Sequence, residues 1–157
     1  MHALELLLLW MHGLSGAAWF GAIFYKTFII DAKAFLYFPH RPDYERFSTH
    51  LAHGMRHLVI AGLSVCGLSG FALTAVKWDS IGDTAFALLV AKLAVWIAAG
   101  ALFSYVSWVH WPWRIFASPE EMPRYRTEGR WLAIGMVILT GAGVALGQAM
   151  RWTQPAT

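Results

Sequence analysis

Four apolar runs, each close to the length of a bilayer crossing, dominate this chain. The hydrocarbon core of a membrane is about 30 Å thick, so a spanning helix needs roughly 20 mostly apolar residues. Residues 4–30 are interrupted only by Glu5, His12 and Lys26, residues 84–109 carry Lys92 alone, and residues 58–76 and 131–150 carry no charge. The runs are continuous and do not alternate apolar with polar, which predicts helices and excludes a barrel. The expected fold is an all-α integral membrane four-helix bundle, with residues 1–157 forming a single four-span domain. Composition agrees: 58% of the residues are hydrophobic and 13% charged, against roughly 25% charged in a soluble domain. Such a chain is too apolar for disorder and has too few charges to cover a soluble enzyme. Its one cysteine, Cys66, excludes a disulfide framework or a Cys-rich zinc site.

The sequence opens Met1-His2-Ala3-Leu4-Glu5 without a basic segment, so the first run is expected to be a retained span and not a cleaved leader. No internal repeat or linker stands out. Lys26, Lys33, Arg41, Arg46, Arg56, Arg114, Arg124, Arg126 and Arg130 border the first and third connections, nine residues against Lys77 and Arg151 on the opposite side. The positive-inside rule then puts both termini in the periplasm of a bacterial inner membrane. The same asymmetry explains the basic pI and requires no nucleic-acid partner. Trp108, Trp111, Trp113 and Trp152 sit where interfacial aromatics are expected.

Ionisable residues inside a membrane are expensive to bury and mark functional positions. His12 lies about nine residues into the first span and Lys92 about eight into the third, roughly 12–14 Å deep at the rise of a helix. Two such groups at one level, with no carboxylate near them in the spans, would repel unless an anion or electron-rich group joined them: a haem propionate, a quinone oxygen or a tetrapyrrole carboxylate. The plain alternative is a neutral His12 bonded to a carbonyl and a Lys92 that reaches outward. Gly16 and Trp19 lie one and two turns beyond His12 on the same face, with Ser15 beside them. A missing side chain there would let a flat macrocycle approach, and Trp19 would flank its edge; neutral imidazole is a common haem ligand. Gly13, Ala17 and Gly21 also form a small-residue stripe suited to helix packing.

His50, His53 and His57 share a second helical face, which leads from the basic side into the bundle. They are either solvated histidines at the start of an interfacial helix or, with His110 at the end of the third span, candidate ligands for haem iron or copper. Arg56 borders this stripe, and its planar fork suits a carboxylate. No span has the widely spaced histidine pair of a di-haem cytochrome b. Cys66, in an apolar span, reads as packing.

His12, the Trp19-Phe20 pair, a glycine and then Phe24-Tyr25 make the first span resemble that of the HemJ-type protoporphyrinogen IX oxidases, part of a broader group that includes copper-resistance protein D. Met55-Arg56-His57-Leu58 is similar to the family's entry to its second helix, and Ala91-Lys92-Leu93 to its intramembrane lysine. The likeness touches three of the four spans in the same order. Before the fourth span, where the family has an Asn-Glu-x-Pro motif, this chain reads Tyr125-Arg126-Thr127-Glu128-Gly129-Arg130. The resemblance implies a four-helix fold, bound haem b, and oxidation of a tetrapyrrole precursor to protoporphyrin IX with electrons passed to quinone.

Three readings follow. In the first, His12 ligates haem iron while Lys92 and Arg56 hold substrate or propionate carboxylates. The second is a non-catalytic cytochrome b subunit relaying electrons between a redox partner subunit and quinone. The third is a copper-handling membrane protein using His53, His57 and His110. A Gly143-x-x-x-Gly147 pair permits a close helix contact within the chain or in a homo-oligomer. The topology is open to direct test: a reporter active only in the cytoplasm and fused after Thr157 should be silent, and full activity would reverse the orientation.

Overall fold

Every apolar run is helical in the computed structural model, which describes residues 2–38 and 40–153. Helix α1 (His2–Tyr25) passes through a π-helical turn (Lys26–Ile30) into the short α2 (Asp31–Tyr37). The return helix α3 (Arg41–Lys77) is 37 residues long and ends in a 3-10 turn. The pattern then recurs. Helix α4 (Asp83–Tyr105) runs through a second π-helical turn (Val106–His110) into α5 (Trp111–Phe116), and α6 (Met122–Trp152) returns. Among the described residues, four continuous helical stretches are long and apolar enough to cross a membrane: Ala3–Tyr37, Pro42–Ser80, Asp83–Phe116 and Met122–Trp152. Whereas the sequence shows no repeat, the structure shows two like hairpins. The same fourteen residues separate His12 from Lys26 and Lys92 from Val106, where the two π turns begin.

The helices overrun the apolar runs. The second was expected from residue 58 and starts at Arg41; the fourth was expected from residue 131 and starts at Met122. Charges mark where a chain leaves hydrocarbon and not where its helix stops, because a helix satisfies its own backbone on either side of that boundary. Prolines set the true ends. Phe38, which directly precedes Pro39, is extended and ends α2, and Pro42 occupies the first turn of α3 after an extended His40. Ser118 and Glu121 form a reciprocal cap before α6: the Ser118 N–H donates to the Glu121 carboxylate and the Glu121 N–H to the Ser118 hydroxyl. The Ser118 N–H holds the Glu121 carboxyl below its ordinary range, so this cap weakens only when acid protonates Glu121.

Helix α1 packs on α3, α4 packs on α6, and α1 also meets α6; the backbones of α3 and α4 stay further apart than any of these pairs. Ala99 (1% exposed), Trp19 and Met136 form the centre, surrounded by Ile23, Val59, Leu63, Trp96 and Leu139. Large apolar side chains point outward all round, Leu68 at 71% exposure and Leu58 at 67% among them. In water this would be a liability; for a helix facing lipid it is the required pattern. Gly143 faces Val95 and Gly147 faces Lys92, so the small-residue pair of α6 is used within the chain, against α4.

Across the α3–α4 seam large side chains substitute for backbone contact. A Cβ at Gly67 would lie 2.6 Å from the Trp96 ring, whereas one at Gly62 would meet nothing within 4 Å. Gly67→Ala should therefore destabilise the bundle by about 1–3 kcal/mol, the usual cost of overpacking. Gly62→Ala should be neutral or mildly stabilising. Thermal unfolding of both variants in detergent checks the contrast.

Candidate functional site

His12 and Lys92, expected at one depth, are in direct contact. Lys92 Nζ lies 2.8 Å from His12 Nε2, and His12 Nδ1 lies 2.8 Å from the Cys66 carbonyl oxygen. The hydrogen positions follow from donor chemistry. A carbonyl only accepts, so Nδ1 carries the proton. An ammonium only donates, so Nε2 presents its lone pair. His12 is thus neutral, and the repulsion expected between two cations does not arise: imidazole itself is the electron-rich group that Lys92 needs.

All four spans build this centre. Helix α1 supplies His12, and α3 supplies the Cys66 carbonyl, with Ser69 Oγ 3.5 Å from Nδ1. Helix α4 supplies Lys92. Two glycines make the room: a Cβ at Gly70 would lie 3.0 Å from the His12 ring, and one at Gly147 of α6 would lie 3.1 Å from Lys92 Nζ. Gly16 and Trp19 are placed differently from the expectation of a macrocycle slot. Gly16 faces Cys66 Sγ at ordinary contact distance, and Trp19 is buried in the core with Ala99 and Met136. Toward the start of α1, Lys77 pairs with Glu5, which lies on the His12 face of α1 seven residues before it.

Arg56 is not part of this centre. It precedes Cys66 by ten residues on α3, about 15 Å along the helix, and its guanidinium answers a backbone fault in the second π turn. There the Trp111 N–H bonds to the Val106 carbonyl. The next carbonyl, of Ser107, would turn to residue 112, which is a proline and has no N–H. Arg56 Nη2 donates to that Ser107 oxygen at 3.0 Å, with the guanidinium 5.8 Å from the centre of the Trp108 ring.

The basic end of the bundle holds a second polar cluster that sequence reading missed. Glu45 binds two arginines: Arg114 donates from Nε and Nη2 to Oε2, at 3.2 and 2.7 Å, and Arg126 donates from Nε to Oε1 at 2.8 Å. Arg114 is only 8% exposed and lies 4.9 Å from the centre of the Trp111 ring. A cavity of about 450 Å³ opens beside this cluster, and His50 and His53 line it. His57 is exposed. His110 is buried against α6, with its ring 5.8 Å from that of Tyr125 and no hydrogen bond closing on Nε2. Among the described residues no three His, Cys, Asp or Glu side chains converge as a metal site. The one clue in the sequence was Glu45, an acid among Arg41, Arg46 and Arg56, whose partners lie far along the chain.

The fold and this centre define a class, a four-helix membrane bundle with a hydrogen-bonded histidine–lysine pair inside it. Compared with known families, curated proteins and solved structures, the chain matches none.

The Ser107 contact separates two roles for Arg56. If the guanidinium serves the backbone, Arg56→Leu should cost about 1–3 kcal/mol, the penalty for a buried carbonyl left without a donor. Arg56→Lys should recover part of the loss. Unchanged unfolding of Arg56→Leu in detergent would contradict the backbone role.

Proposed function

We propose that this protein is a redox protein of the bacterial inner membrane that takes a tetrapyrrole at the His12–Lys92 pair, in the manner of the HemJ-type protoporphyrinogen IX oxidases. The observation that carries the proposal is the state of His12. Its Nδ1–H is tied to a backbone carbonyl, the arrangement that orients ligating histidines. Its Nε2 lone pair faces the bundle interior and meets only a movable amine. These donors fit haem b, with His12 as the residue that would hold the iron once Lys92 leaves Nε2. Bound there, haem would supply one-electron chemistry between substrate and quinone.

The chain's own residues supply the rest. Lys92 is a long, flexible cation beside Gly147, able to trade the imidazole for a tetrapyrrole carboxylate. Oxidation of the precursor releases protons with its electrons, and the pair can accept one. The outward-facing apolar side chains let a lipid-soluble substrate arrive from the bilayer. Arg56 stands with the Ser107 carbonyl in this scheme and not at the substrate. Both termini face the periplasm, on the strength of the basic residues gathered at the opposite end.

The test is the visible spectrum of the purified protein. Wild type should show reduced-minus-oxidised b-type bands, His12→Ala should abolish them, and His53→Ala and His110→Ala should retain most of them. Lys92→Met should keep the bands and lose turnover of protoporphyrinogen. Full haem content in His12→Ala, with loss in His57→Ala or His110→Ala, would move the haem to the basic end and overturn the assignment.

A further inference from the structure

The cavity at the basic end is built for an anion. Helix α3 lines one side with Arg46, His50 and His53, while α5 contributes Arg114 opposite them. The side chains of Arg46, His50 and His53 make no hydrogen bond or ion pair with any described residue. The acid in the lining, Glu45, has no charge to spare. One of its oxygens is held by Arg126 and the other by Arg114, so a single carboxylate faces two guanidinium groups. Counting α3, α5 and α6 together, Glu45 opposes Arg46, Arg114 and Arg126, and the cluster keeps a net positive charge before either histidine is considered.

The remaining walls are mostly apolar. Trp111 and Ile115 of α5 and Met122 at the start of α6 supply these walls, and Thr49 of α3 completes the lining. A soluble phosphate has no use for them, but an amphiphile does. The cavity also lies at the end of the spans, where Trp108, Trp111 and Trp113 mark the level of lipid headgroups. Basic pockets between helices at that level recognise anionic headgroups.

We infer that this cavity binds the phosphate of an anionic phospholipid, with Arg46 as its main cation, His50 and His53 as further donors, and the glycerol and upper acyl chain against Trp111, Ile115 and Met122. Arg114 is pre-set by Glu45 and Trp111 and adds its field without needing to move. The inference stands on the fold and this cluster alone, independent of any tetrapyrrole at His12.

The test uses the whole protein reconstituted in phosphatidylcholine nanodiscs containing a minor fraction of phosphatidylglycerol, followed by native mass spectrometry of the lipids it retains. Wild type should retain phosphatidylglycerol in preference to phosphatidylcholine. A basic residue near an anionic headgroup is worth about 1 kcal/mol, so Arg46→Gln should lower that enrichment about fivefold. Arg46→Gln/His50→Gln should lower it further. Arg151→Gln, an exposed change on the last turn of α6, should leave it unchanged. Equal retention of the two lipids by wild type, or undiminished enrichment in Arg46→Gln, would overturn the site. Displacement of the retained lipid by inorganic phosphate at comparable concentration would overturn the lipid assignment in favour of a free-phosphate site.

Discussion

A polar group inside a bilayer has no water to turn to, and the hydrogen bond from Lys92 to His12 is where this fold answers that constraint most directly. A lysine near the middle of a spanning helix costs about 2.5–3.5 kcal/mol to insert. A hydrogen bond to a charged group returns about 1.5–3 kcal/mol. One well-placed acceptor is therefore enough to bring the cost of Lys92 close to zero, and the acceptor must be at Nζ. That single requirement fixes the tautomer of His12, and the tautomer in turn requires the Cys66 carbonyl. Gly70 and Gly147 then have to stay small. The same logic recurs at the basic end, where Arg56 serves the Ser107 carbonyl and Glu45 holds Arg114 and Arg126.

The two hairpins place these contacts in a common frame. His12 and Lys92 occupy matching positions, each followed at the same interval by a π turn and a short helix. The ionisable residues therefore meet between the hairpins, as binding sites do in membrane proteins built from parallel repeats. Only the second π turn is followed at once by a proline, Pro112, and only there does an arginine reach across to a freed carbonyl. A backbone irregularity inside a membrane survives when something else supplies its missing donor.

The spans, the common depth of His12 and Lys92, and the gathering of basic residues were legible in the sequence because each depends on hydropathy and helix rise alone. Contacts across helices were not. Nothing in the spacing said that Lys92 would find Nε2 rather than an external carboxylate, since that depends on the azimuth of α4 relative to α1. Gly16 and Trp19 have the right periodicity for a cofactor wall, but periodicity cannot distinguish a wall from a core. Trp19 closes on Ala99 and Met136. The role of Arg56 needed a π turn that no pattern announced, although Pro112 shows afterwards why that carbonyl was free. The helices' continuation past their apolar runs was hidden because charge density marks a solvent boundary, not a helix end.

The measurement that bears most directly on the central claim is the nitrogen spectrum of His12, recorded by solid-state NMR on histidine-labelled protein in lipid, with His12→Gln used for assignment. The structure requires a neutral ring protonated at Nδ1, with an unprotonated Nε2 whose resonance moves when Lys92 is replaced by methionine. An imidazolium, a ring protonated at Nε2, or an Nε2 resonance indifferent to Lys92→Met would contradict the pairing on which the rest of the structure depends.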